Sequence, residues 1–251
     1  MREGDSMRRF LIVIGILFLI LAGLTEIVLP QTLNTMLKQK IAQLTYSQQV
    51  DLSVDSSPRF MIAAGTVDKI HGQVKNGRIG DLNTSDLTLD AQNVKVNMPA
   101  LLFADKVDET GKHKTVEDYI KSIGGVKMTG IVTQDNLKEF LQAKVSQLDN
   151  LELKITPDEI YATSNVTIMG RSADLELSGI IIADEGDLYF RMTKLNVKNA
   201  ILRHVQLDRF FGDLKIVSAD KLPLGLKFDT VELQEGKALL TAVRGNRQVG
   251  R

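Results

Sequence analysis

The chain has 251 residues, with 31 Lys and Arg offset by 31 Asp and Glu, and it contains neither cysteine nor tryptophan. A net charge of zero leaves no electrostatic footprint for nucleic acid. The missing cysteines exclude disulfides, lipoprotein acylation, a thiol nucleophile and thiolate metal sites, and the apolar content is left to Leu, Ile, Val and Met.

Residues 1–9 are polar and basic, with Arg2, Arg8 and Arg9. Phe10 to Leu24 then run without a charge, and Thr25 to Leu29 extend the segment to Pro30. As a helix, residues 10–29 cover roughly 30 Å, the thickness of a hydrocarbon core. An uncleaved anchor, a cleaved signal peptide and a buried soluble helix all have this composition. A signal peptide ends in small residues of the A-x-A kind, whereas Ala22-Gly23-Leu24-Thr25-Glu26-Ile27 offers no such pair, so the anchor is preferred. Basic residues precede the span and none follows it until Lys38. The positive-inside rule therefore predicts a single-pass protein of the cytoplasmic membrane, N-terminus in, with residues 31 onward outside, at the cell surface or in a periplasm.

Leu33, Met36, Leu37, Ile41 and Leu44 recur at helical spacing and predict an amphipathic helix over about 31–45, lying on the core or on the membrane. From Val50 the period becomes two. Val50, Leu52 and Val54 predict a half-buried strand ended by Ser56-Ser57-Pro58, and Phe60 to Gly65 form an apolar bridge of one helical turn. Alternation resumes from Ile70 to Val74, and Asn76-Gly77 predicts a tight hairpin. Leu87 and Leu89, then Val94, Val96 and Met98, complete a meander of about four strands. Pro99-Ala100-Leu101-Leu102-Phe103 breaks the alternation as a core plug or an exposed lip, and 105–114 reads as a solvated loop.

Val126, Met128, Gly130 and Val132 open the second half as a strand. Thr133 or Asp135 caps a helix whose stripe is Leu137, Phe140, Leu141, Val145 and Leu148. Strands follow through Leu151 to Ile155, Ile160 to Ile168, Ala173 to Ile182 and Leu188 to Val197, with turns at Thr156–Glu159 and Asp184–Asp187. A third helix is predicted over about 200–214, with Phe210 and Phe211 on its apolar side. Leu222-Pro223-Leu224-Gly225 leads into a last hairpin around Glu235-Gly236, and 245–251 reads as a basic tail without structure. Helices grouped with meanders predict an α+β fold, one long coiled antiparallel sheet wrapped around helices.

No catalytic set emerges. His71, His113 and His204 stand apart, and no G-x-S-x-G, P-loop or G-x-G-x-x-G occurs. Asp81-Leu82-Asn83-Thr84-Ser85 begins like a calcium loop, but Asp86 and Gln92 replace its glycine and its final glutamate, so it reads as a polar strand connection.

The order of elements resembles that of the LmeA-like phospholipid-binding proteins of bacterial envelopes. The matching islands are the N-terminal anchor, Leu101-Leu102, Val132-Thr133-Gln134-Asp135-Asn136-Leu137 and Leu222-Pro223-Leu224-Gly225-Leu226. They lie within a domain of residues 31–244, while Met98-Pro99 and the charged 105–121 stretch depart from the pattern. The resemblance implies a fold related to the tubular lipid-binding architecture, with a coiled sheet and helix around an apolar cavity. It also implies phospholipid as partner at the cytoplasmic membrane, no cofactor, no nucleic acid and no catalysis. The candidate cavity lining is Leu137, Phe140, Leu141, Val145 and Leu148 from the central helix, Leu101, Leu102 and Phe103 from the break, and Phe210 and Phe211 from the third helix. By default the helical stripe is a core face, spacing alone does not separate a filled core from an open tunnel, and a non-catalytic assembly module with a filled core is the alternative.

Overall fold

The computed structural model describes residues 45–62, 64–103, 116–145, 148–168, 171–198 and 213–244, together with Thr35, Lys38, Gln39 and Ala42. The predicted anchor at 10–29, the third helix with Phe210 and Phe211, His113, His204 and the basic tail lie outside these residues. So do the apolar positions of the 31–45 helix, although Thr35, Lys38, Gln39, Ala42 and Thr45 are helical. Among the described residues no helix is long and apolar enough to cross a membrane.

Twelve strands make the described chain mostly β-sheet, with few helices. Two compact units divide it. Among the described residues, one draws on Leu52–His71 and Ala91–Gly125, the other on Ala42–Asp51, Gly72–Asp90 and the residues from Val126 onward. Strands β1 (Gln49–Asp55), β2 (Thr66–Ile79) and β3 (Leu82–Val96) contribute residues to both.

In the first unit, the apolar bridge is a 3-10 turn, Arg59–Ile62, pinned by Ile62, which is 1% exposed. Gly65 follows at φ +83, and a Cβ there would collide with the Val96 carbonyl oxygen, so only glycine fits. That carbonyl belongs to the segment whose N–H donates to Gly65 O at 2.7 Å. Strand β4 (Ile120–Ser122) pairs with the end of β3, and helix α1 (Met98–Phe103) starts from the buried Met98.

In the second unit, parts of β1, β2 and β3 with β5 (Gly125–Thr133), β12 (Lys237–Arg244) and β11 (Leu226–Gln234) hydrogen-bond in that order, within the larger sheet. A smaller sheet runs β10-β9-β8-β7-β6 from β6 (Leu148–Ile155), β7 (Ile160–Ile168), β8 (Arg171–Asp184), β9 (Asp187–Val197) and β10 (Leu214–Val217). It is a pure antiparallel meander.

Four expectations need correction. Asn76-Gly77 is not a hairpin: β2 runs through it and turns at Gly80-Asp81. Asn76 takes φ +50 within the strand, and Gly77 sits where neighbouring side chains crowd the backbone. A Cβ at Gly77 would lie 3.0 Å from Val74 Cγ1, 3.1 Å from Leu87 Cδ1 and 3.6 Å from Thr45 Cβ. The four-strand meander is three strands, because β3 continues across Asn93 (φ +51), whose left-handed backbone bends the strand without ending it. The central helix stops at Lys144, so Leu148 opens β6 instead of closing the helical stripe. Leu214, expected to end a helix, begins β10, where it sits opposite Phe190.

Candidate functional site

Helix α2 (Gln134–Lys144) forms where β5 runs out, and the local chemistry explains why. Thr133 is extended and accepts the Asn136 N–H at 3.3 Å, while its own N–H donates to Asn136 Oδ1 at 3.2 Å. This reciprocal box satisfies two backbone donors that a helix start otherwise leaves open. Asp135 in the first turn and Lys144 in the last complement the helix dipole. The inner face carries Leu137, Phe140 and Leu141 at 0%, 3% and 4% exposure, and the helix packs against β6. Val145 is the C-cap at φ −121 and is half-buried, and its N–H donates to Leu141 O at 2.8 Å. Leu148 is buried on β6. Of the other predicted lining residues, Leu101, Leu102 and Phe103 close α1, with side chains outside the described set, as are Phe210 and Phe211.

The smaller sheet supplies what single-strand alternation does not reveal, namely rows that cross strands. Leu153, Ala162, Leu177 and Leu195 are consecutive register partners from β6 to β9. Ile155, Ile160, Gly179 and Met192 form the next row, and Ile181, Phe190 and Leu214 extend the face to β10. An extra residue in β9, Thr193, keeps Leu195 and Met192 on this one face. Within the rows Leu153, Met192, Leu195 and Leu214 are half-buried and the other members, the edge residue Ile155 included, are buried. At Gly179 an added Cβ would strike the Phe190 ring, so the ring closes over the bare backbone.

The opposite face carries polar pairs beside the half-buried Ile180 and Ile182. Lys198 Nζ donates to Glu176 at 2.5 Å and Asn196 adds a second bond at 3.0 Å, and together they hold the Glu176 carboxyl below its usual range. Arg191 grips Asp213 through Nε and Nη2 at 2.8–3.1 Å. Asp187, predicted only as a turn residue, is a hub. It accepts the Ala219 N–H at 2.7 Å, Lys215 Nζ at 2.6 Å, and the Tyr189 and Ser218 hydroxyls at 3.3 and 3.4 Å. The backbone bond first, and then Lys215, push its pKa down from 3.8. Local sequence does not signal this, because its partners lie up to 32 residues away. Among the described residues no three His, Asp or Glu side chains gather as a metal site.

An aliphatic face backed by polar pairs suits a hydrocarbon ligand, and comparison with known families agrees. The LmeA-like phospholipid-binding family matches residues 24–243. The chain belongs to this family. The match takes in both sheets and α2, so the resemblance carried by Val132–Leu137 and Leu222–Leu226 is borne out. This LmeA-like chain is therefore one of a lipid-binding family. Comparison with curated proteins and with solved structures gave no match.

Proposed function

We propose that this LmeA-like chain binds and transfers phospholipid outside the cytoplasmic membrane, held there by residues 10–29, in maintenance of the cell envelope. The observation that carries the reading is the aliphatic face of the smaller sheet, part of which is half-buried in a chain of a phospholipid-binding family. In this reading the sheet coils to enclose an apolar cavity, and acyl chains lie along Leu153, Leu195, Met192 and Leu214. Each buried CH₂ is worth about 0.8 kcal/mol in bilayer or protein alike, so exchange is nearly balanced and needs no energy source or cofactor. The headgroup stays among polar side chains at the mouth.

The test is mass spectrometry of lipid co-purified with the full chain in mild detergent, with uptake of a fluorescent phospholipid. Stoichiometric lipid and saturable uptake are expected. Neither lipid nor uptake overturns the reading.

A second reading is an envelope assembly module with a filled core. What favours it is the closed inner face of α2, where Leu137 has no accessible surface. Absence of lipid uptake, with a defined membrane partner crosslinked to the smaller sheet, would establish it.

A further inference from the structure

Two cations pair with one carboxylate at the tip of the β2–β3 hairpin, and the stem of a third, Lys221, packs beside the tip. Lys144 Nζ, at the last residue of α2, donates to Asp81 Oδ2 at 2.6 Å, and Arg78 Nη2 lies 3.4 Å from Asp81 Oδ1. Lys221 approaches on the glycine side of the tip: its Cγ and Cβ are 3.8 and 3.9 Å from the Cβ position of Gly80, beside Val217 Cγ1 at 3.8 Å. Lys144 precedes β6 and Lys221 follows β10, so the tip meets chain attached to both outer strands of the smaller sheet.

The side chains are wet, with Arg78 43%, Lys144 40%, Asp81 58% and Lys221 62% exposed. Exposed pairing of this kind adds little to stability. The Asp81 carboxyl is nevertheless held below its usual range, first by the Lys144 hydrogen bond, then by the charge of Lys144 and those of Arg78 and Lys221. Other acids nearby are Asp220, 3.9 Å from Lys221, and Glu139, which accepts from Asn83 at 3.1 Å. The ammonium of Lys144 also lies 5.8 Å from the centre of the Phe140 ring. Lys144 therefore links the charged tip to the apolar side of α2.

We propose that Arg78, Lys144 and Lys221 bind the phosphodiester of a phospholipid headgroup, with Asp81 holding their places until it arrives. A guanidinium and two ammonium groups around an exchangeable anion suit a singly charged phosphodiester, which offers the same acceptor oxygens. The lipid displaces the Asp81 carboxylate, and no bond is made or broken. This site rests on the lipid-binding reading and adds which lipids it prefers: those whose phosphate is not shielded by a headgroup cation.

The test uses the full chain in detergent with two fluorescent ligands of identical acyl chains, phosphatidylglycerol and diacylglycerol. The triple variant Arg78→Gln, Lys144→Gln, Lys221→Gln is expected to weaken phosphatidylglycerol binding by about tenfold or more, and diacylglycerol binding by less than about twofold. Asp81→Asn, which removes the competing carboxylate, is expected to tighten phosphatidylglycerol alone. Millimolar inorganic phosphate competes with the phospholipid only weakly if the lipid headgroup is the ligand. Equal losses for both lipids, or no loss for either, overturn the headgroup site while leaving lipid binding intact. Phosphate binding as tight as that of the phospholipid overturns it in favour of free phosphate. Uptake of neither lipid overturns the lipid-binding reading and the site with it.

Discussion

The two sheets of the second unit solve the same packing problem differently. In the larger sheet, Leu87 of β3 lies between bare glycine backbones on its neighbouring strands, with methyls 3.1 Å from the Cβ positions of Gly77 on β2 and Gly130 on β5. Its alternate residues Val126, Met128 and Val132 are all under 8% exposed. In the smaller sheet, Phe190 closes over Gly179 in the middle, but Leu153, Met192, Leu195 and Leu214 stay half-buried. A large side chain set into a glycine socket fills space completely. In the proposed function, the half-buried side chains of the smaller sheet are where a hydrocarbon chain would find partners.

This contrast can be broken at its closed points and sharpened at its open ones. Gly179→Val forces the Phe190 ring and the Arg191 carbonyl aside, and we expect a loss of about 3 kcal/mol or more in urea unfolding. Leu137→Ala opens a hole beneath α2 at a cost of about 2–5 kcal/mol. Leu153→Ala at a half-buried position is expected to cost less than half of the Leu137 loss, and a charge there, Leu153→Asp, to reduce phospholipid uptake while the chain stays folded by circular dichroism. Equal costs at Leu137 and Leu153 would show that the half-buried position is packed as solidly as the buried one. Thr133→Ala removes the cap of α2 for about 1 kcal/mol.

The smallest expected effect is acidic. Asp187, whose side chain is 19% exposed, has its folded pKa below 3.8, so its contribution is complete above the unfolded value. It is lost as pH falls from about 4 through the folded value. Asp187→Asn is expected to lower stability near neutral pH and to flatten the acid limb of the stability profile, measured by thermal melts between pH 3 and pH 7.

Much of this was legible in the chain, and the failures have a common cause. The Thr133 cap and the Leu137, Phe140, Leu141 stripe were readable because capping and helical spacing act within four residues. Turns at Thr156–Glu159, Asp184–Asp187 and Glu235-Gly236 were readable for the same reason. Asn76-Gly77 misled because left-handed backbone serves a strand irregularity as well as a hairpin, and the Leu87 side chain that crowds the glycine comes from the next strand. Leu148 keeps helical spacing with Leu141 although Val145 has already left the helix. The rows across the smaller sheet, the Asp187 hub and the Asp81 cluster depend on register and on partners far along the chain, which no window of sequence contains.

The order in which strands neighbour one another has a consequence for assembly. In the smaller sheet each strand from β6 to β9 pairs with the next in sequence, so that sheet can zip up hairpin by hairpin as the chain emerges. The larger sheet must wait, because β5 pairs with β12 from the far C-terminal end. Pulse-labelled hydrogen exchange during refolding should find residues 148–197 protected first, with 125–133 gaining protection only alongside 226–244.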